Sequence, residues 1–170
     1  MKLNIREITL FAMLGSLMYA SKLAMEVLPN IHLVGVFIVS ITVVYRAKAL
    51  YPIYIFVLMQ GVFAGFNMWW IPYLYIWTVL WAIVMLLPKK MHPTVAMIVY
   101  MLVCGIHGFL FGLLYMPAQA VMFSLTFEKA VAWWVAGIPF DITHGIGNLV
   151  FGVLILPLIK AMRLARKYTR

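Results

Sequence analysis

The chain has 170 residues, of which 66% are hydrophobic and only 10% charged, with a mean hydropathy of +1.06 and a formal net charge of +9. A single soluble core of this length cannot bury that much apolar surface, which excludes a soluble globular domain and makes lipid the expected solvent for most of the chain. The charge does not lay out a basic face for nucleic acid: five of the thirteen basic residues (Lys160, Arg163, Arg166, Lys167, Arg170) fall in the last eleven positions, and the rest stand singly or in pairs between apolar runs.

In chain order, turn residues and charges divide one domain, residues 1–170, into six apolar spans, an all-α membrane protein. The first, residues 6–28, is too long for the apolar core of a signal peptide and has no small-x-small site after it, so it reads as a retained span. The second is residues 31–45, closed by Arg46 and Lys48, and the third is residues 49–66. The fourth, residues 72–87, ends at Pro88-Lys89-Lys90, and the fifth is residues 93–115. The sixth, residues 139–161, follows an amphipathic stretch at 127–137 that reads as a short interfacial helix. The single Cys104 leaves no internal disulfide and no cysteine metal cluster.

Spans two and four are short, at 15 and 16 residues against the usual ~20, which raises the question of re-entry. Lys and Arg placement answers it. Six crossings with both termini in the cytoplasm put Lys2, Arg6, Arg46, Lys48, Lys89, Lys90 and the five tail cations inside, and only Lys129 in an outer loop. Without the second crossing most of those cations would lie outside. The outer loops instead carry Trp69, Trp70, Tyr73, Tyr115, Trp133 and Trp134, either an interfacial aromatic belt or a lid over a ligand.

Polar side chains within spans are costly and are functional candidates by default. Here they are Lys22, Glu26, Gln60, His107, Asp141, His144 and Asn148, all in the outer half of their spans, whereas the inner halves hold nothing more polar than Ser40 and Thr42. Asp141, His144 and Asn148 stand at i, i+3, i+7 on one face; Phe56, Gln60, Phe63 and Asn67 share another, and Tyr73, Trp77 and Trp81 a third. Aromatic walls with a few converging polar groups suit a small-molecule pocket. Four of them have a plainer reading too: Lys22 and Glu26 as a self-neutralising i,i+4 pair, His107 as a packing residue, Asp141 as a cap for the start of span six.

Ala12, Ser16, Ala20 and Ala24 form a small-residue stripe, on the side of span one opposite Lys22, where another helix could approach closely; Gly108-x-x-x-Gly112 reads as internal packing. The sequence has no phosphate loop, no His-Glu-x-x-His and no Gly-x-Ser-x-Gly.

Three segments resemble the substrate-binding S components of energy-coupling factor (ECF) transporters: Leu28-Pro29-Asn30-Ile31-His32-Leu33, Trp69 through Trp77, and Trp134 through Asp141 with His144 and Asn148. The family's Ala-x-x-x-Ala docking motif is matched by Ala20 and Ala24, with Ala12 and Ser16 below it. The resemblance implies a prokaryotic plasma-membrane protein, not itself an enzyme and without a cofactor or bound metal. Such a protein captures a vitamin or related micronutrient from outside and delivers it with a T component and two cytoplasmic ATPases. The expected substrate contacts are Lys22, Glu26, Asn30, Gln60, Asn67, Trp69, Trp70, Tyr73, Trp77, His107, Asp141, His144 and Asn148. The competing readings are a membrane enzyme with an outward-facing Asp/His site and an assembly or sensor subunit that binds no ligand.

Overall fold

The computed structural model describes residues 3–168, so the predicted cytoplasmic Lys2 and Arg170 lie outside the described residues. Among those residues there are eight α-helices and no strand: α1 (Ile5–Ala24), α2 (Val34–Tyr45), α3 (Leu50–Ala64), α4 (Tyr73–Leu86), α5 (Pro93–Phe109), α6 (Phe111–Met122), α7 (Phe127–Phe151) and α8 (Ile155–Lys167). Four helical runs are long and apolar enough to cross a membrane: Val34–Ala64, Met68–Leu86, Pro93–Met122 and Phe127–Lys167. The protein is therefore read as a multi-pass helical membrane protein.

The centre of the bundle is α2, with 11 of its 12 residues buried. A helix apolar on every side needs neighbours on every side, which is why this segment can be short. It ends at Arg46, whose φ of 53° is unusual for a residue with a Cβ. The conformation is held from both sides: the Arg46 guanidinium donates to Met85 O at 2.6 Å, and its carbonyl accepts from Trp81 Nε1 at 3.1 Å. The chain reverses there through a short 3-10 turn into α3. That helix stops at Gly65, whose φ of 93° a residue with a side chain rarely adopts.

Pairwise contacts fix helix directions. α1 lies parallel to α3, with Glu7 ion-paired to Lys48, Phe11 on Tyr51 and Tyr19 on Phe63. Antiparallel to α3, α4 is held by Tyr54 Oη donating to Leu74 O at 2.8 Å and by Trp70 Nε1 donating to Val57 O at 2.7 Å. The tightest crossing is antiparallel, α5 on α7: a Cβ added to Gly108 would lie 2.9 Å from Gly145 Cα, as the Gly108-x-x-x-Gly112 spacing predicts. The run from α7 into α8 is parallel to α2, with Ser40 near Ile155 O and Tyr45 Oη donating to Met162 O at 3.1 Å. Successive legs thus alternate in direction. One end gathers Arg46, Lys48, Lys89, Lys90 and the cations of α8; the other carries Asn30, Trp69, Trp133 and Trp134.

Several boundaries differ from expectation. α1 stops at Ala24, followed by turns into Pro29 and Asn30, the latter at φ 58°, which Asn tolerates better than most residues. Glu26 therefore leaves the helix, is exposed, and forms no ion pair with Lys22; the expected i,i+4 pair does not exist. The 127–137 stretch is not a separate interfacial helix: α7 runs unbroken from Phe127 through Pro139 to Phe151. The helical run of span five continues past Tyr115 to Met122 after a break at Leu110. Asp141 sits well inside α7 and caps a different helix from the one expected. Its Oδ1 accepts from Gly112 N at 2.8 Å, the first turn of α6, where a backbone N–H lacks an intrahelical acceptor.

Candidate functional site

The end of the bundle opposite the cations is organised around Trp77 of α4, which is 2% exposed. Its ring lies 5.5 Å from Phe111, 5.8 Å from His107, 5.9 Å from Tyr73, and 6.2 Å from both Phe56 and His32, centroid to centroid. His144 closes the ring of aromatics, 4.7 Å from His32 and 5.0 Å from Phe111. One turn on along α7, Asn148 is buried and its Nδ2 donates to Cys104 O at 3.1 Å. Gln60, one turn from Phe56 on α3, is 2% exposed. Five helices and the α1–α2 loop thus converge on one volume.

Burial leaves this cluster with unmet hydrogen-bonding capacity. Among the described residues nine buried side-chain nitrogen or oxygen atoms have no hydrogen-bond partner, and only Thr42 Oγ1 lies away from this end. The other eight are His32 Nδ1, Gln60 Nε2, Trp77 Nε1, His107 Nδ1, Trp134 Nε1, Asp141 Oδ2, His144 Nε2 and Asn148 Oδ1, with the Trp134 indole and the Asp141 carboxylate near enough to interact with each other. Native proteins satisfy the great majority of buried polar atoms, since each orphan costs about 1–3 kcal/mol. Scattered orphans would suggest imperfect packing. A cluster of eight under aromatic walls suggests groups held ready for a ligand.

A cavity of about 260 Å³ opens onto this cluster between α6 and α7, bounded by Asn30, Phe111, Tyr115, Gln119, Trp133, Trp134, Phe140, Asp141 and His144 among others. Tyr115 and Trp133 stack at 5.7 Å along its wall. Asp141 is its one carboxylate, and no Lys or Arg lines it. His107 makes one contact of the kind a packing histidine would, its Nε2 3.1 Å from Ile76 O, while Nδ1 remains orphaned. Despite three neighbouring imidazoles, no group of three His, Cys, Asp or Glu among the described residues is placed to hold a metal ion.

Of the sequence-predicted contacts, Gln60, Tyr73, Trp77, His107, Asp141, His144 and Asn148 come together, and Asn30 lines the cavity. Others do not join them. Glu26 is exposed in its turn, and Lys22 is only half-buried. Asn67 leaves the face expected of Gln60 because α3 has ended at Ala64, and Phe63, still within α3, is exposed and stacks on Tyr19 of α1 instead. Trp69 packs on Tyr73 at 5.6 Å, and its carbonyl accepts from Tyr115 Oη at 2.9 Å, so it borders the aromatic wall. Trp70 is pinned to the Val57 carbonyl and Phe66, an anchor for the α3–α4 turn instead of a lid. Trp81 belongs to the opposite end, on Arg46.

Sequence reasoning missed His32 and Phe111 as site residues, and placed Trp134 only among the outer-loop aromatics, as belt or lid. His32 carried a usable signal, an ionisable residue just before a wholly apolar helix. Phe111 carried none, being one of eleven phenylalanines in an apolar chain. The small stripe of α1 lies on an exposed side of the helix that also carries Met13 and Leu17. Ala12, Ser16, Ala20 and Ala24 are all exposed, while Phe11, Leu14, Gly15, Met18 and Tyr19 face inward. No protein-family model, curated protein or solved structure matches this chain.

Proposed function

We propose that this protein is the substrate-binding S component of an ECF-type importer in a prokaryotic plasma membrane. It crosses the membrane six times with both termini inside, captures a vitamin-like molecule from outside, and delivers it with a T component and two ATPases. The observation that carries the binding role is the cluster of eight orphaned buried polar atoms beneath aromatic walls, all at the end remote from Arg46, Lys48, Lys89, Lys90 and the cations of α8. Under the positive-inside rule that end faces out. The importer assignment comes from the sequence resemblance and from the exposed small-residue face of α1, which suits close packing against a partner helix.

The cavity's chemistry narrows the substrate. Stacked aromatic walls favour a planar ring, and a single carboxylate without a neighbouring Lys or Arg favours a ring that carries a hydrogen-bond donor or positive charge. The test is mass spectrometry of the small molecule that co-purifies with the full-length protein, followed by calorimetric titration of the ligand-stripped protein with it. Stoichiometric recovery of one planar compound that rebinds supports the reading. A protein that purifies with no small molecule and binds none from a panel of vitamins and nucleobases sinks it.

A further inference from the structure

The opposite end holds a second, larger concavity, about 1080 Å³, between the α4–α5 turn, the first turn of α5 and one face of α8. Five cations line it: Lys89 and Lys90 from the turn, and Lys160, Arg163 and Lys167 at i, i+3, i+7 along α8. A general excess of inner basic residues would satisfy the positive-inside rule with cations spread around the rim. These five instead converge on one groove from two separate elements.

The remaining cations at this end that the fold engages are used internally. Arg46 donates to Met85 O, Lys48 pairs with Glu7, and Arg166 donates to Val44 O. Among the described residues no carboxylate lines the groove. The chain has four acidic side chains; Glu7 is held by Lys48, and Glu26, Glu128 and Asp141 belong to other parts of the fold. The positive end of the α5 dipole adds to the same field, since Pro93 at its first turn is part of the wall.

The floor differs in character. Ala96 and Tyr100 of α5 and Leu156 and Ile159 of α8 line it, so the groove is cationic at its rim and apolar along its depth. A free inorganic anion would use only the rim. An amphiphile with a phosphate head and a hydrocarbon tail would use both, and basic pockets between membrane helices are suited to such headgroups. We infer that this groove is a binding site for an anionic phospholipid, its phosphate held among Lys89, Lys90, Lys160, Arg163 and Lys167 and an acyl chain laid along the α5–α8 floor. The inference rests on the membrane reading of the chain and is independent of the substrate proposed for the opposite end.

Native mass spectrometry of the full-length protein in detergent, with equal amounts of dioleoyl-phosphatidylglycerol or dioleoyl-phosphatidylcholine, tests it. The expected result is retention of the anionic lipid on the order of tenfold or more over the zwitterionic one, unaffected by millimolar inorganic phosphate. Because all five cations are exposed, Lys160→Gln/Arg163→Gln/Lys167→Gln should leave the fold intact and bring anionic-lipid retention down to the zwitterionic level. Lys89→Gln/Lys90→Gln, on the other wall, should do the same in part. Equal retention of the two lipids by the unmodified protein overturns the proposal, as does selectivity that survives both sets of substitutions. Full displacement by inorganic phosphate makes the groove a site for free anions and also overturns it. So does a triple variant that keeps its lipid selectivity but no longer associates with an ATPase-bearing partner, which would assign the groove to an acidic protein segment.

Discussion

Asp141 offers the sharpest test of the proposed site, because its two oxygens have different fates. Oδ1 accepts the Gly112 N–H at 2.8 Å and supports the start of α6, while Oδ2 makes no close hydrogen bond and has the nearby Trp134 indole as a protein neighbour, in a residue that is 6% exposed. Replacing Asp141 with Asn keeps an oxygen for Gly112 and removes the charge presented to a ligand. A hydrogen bond to a charged group contributes about 1.5–3 kcal/mol, so Asp141→Asn should weaken binding roughly ten- to a hundredfold while the melting temperature changes little. Asp141→Ala removes both functions. It should show at least the same loss of affinity plus about 1–3 kcal/mol of destabilisation from the orphaned Gly112 N–H. Calorimetric titration with the co-purified compound, alongside thermal unfolding in the same detergent, separates the two contributions. If Asp141→Asn binds like the unmodified protein while Asp141→Ala is destabilised, the residue is a cap for α6 and the ligand lies elsewhere.

Four further outcomes are expected. Ala20→Leu/Ala24→Leu places bulk on an exposed face of α1 and should preserve ligand affinity while abolishing uptake and co-purification with a T component; uptake that survives would show that the stripe docks nothing. Gly108→Ala puts a Cβ 2.9 Å from Gly145 Cα and should destabilise the α5–α7 crossing by roughly 1–3 kcal/mol; a melting temperature equal to that of the unmodified protein would refute the close approach. Ligand-induced tryptophan fluorescence should persist in Trp70→Phe, whose indole anchors the α3–α4 turn, and diminish in Trp77→Phe; the reverse pattern would restore Trp70 as a lid. In a Cys104→Ser background, Lys129→Cys should react with a membrane-impermeant maleimide in intact cells and Lys89→Cys only after lysis; labelling of both, or the opposite order, would contradict the six-span orientation.

The membrane character and the helical class were legible in residue chemistry alone, because apolar run length and the spacing of Pro, Gly and charge are local properties. The shared depth of Gln60, His107, Asp141, His144 and Asn148 could likewise be read by counting along each helix. What could not be read was where each helix stops and which neighbour each face meets. Glu26 and Asn67 left the cluster because α1 ends at Ala24 and α3 at Ala64, the latter through a positive-φ turn at Gly65 that is a backbone property. Asp141 was expected to cap its own span, yet it reaches Gly112 across the α6–α7 contact, a partner 29 positions away that no periodicity encodes. His32 entered the site because α2 is buried at the centre and carries its leading loop against Trp77, and Phe111 because the start of α6 packs on Trp77 of α4. Helical spacing determines which residues share a face, and only close packing between helices decides which faces share a cavity.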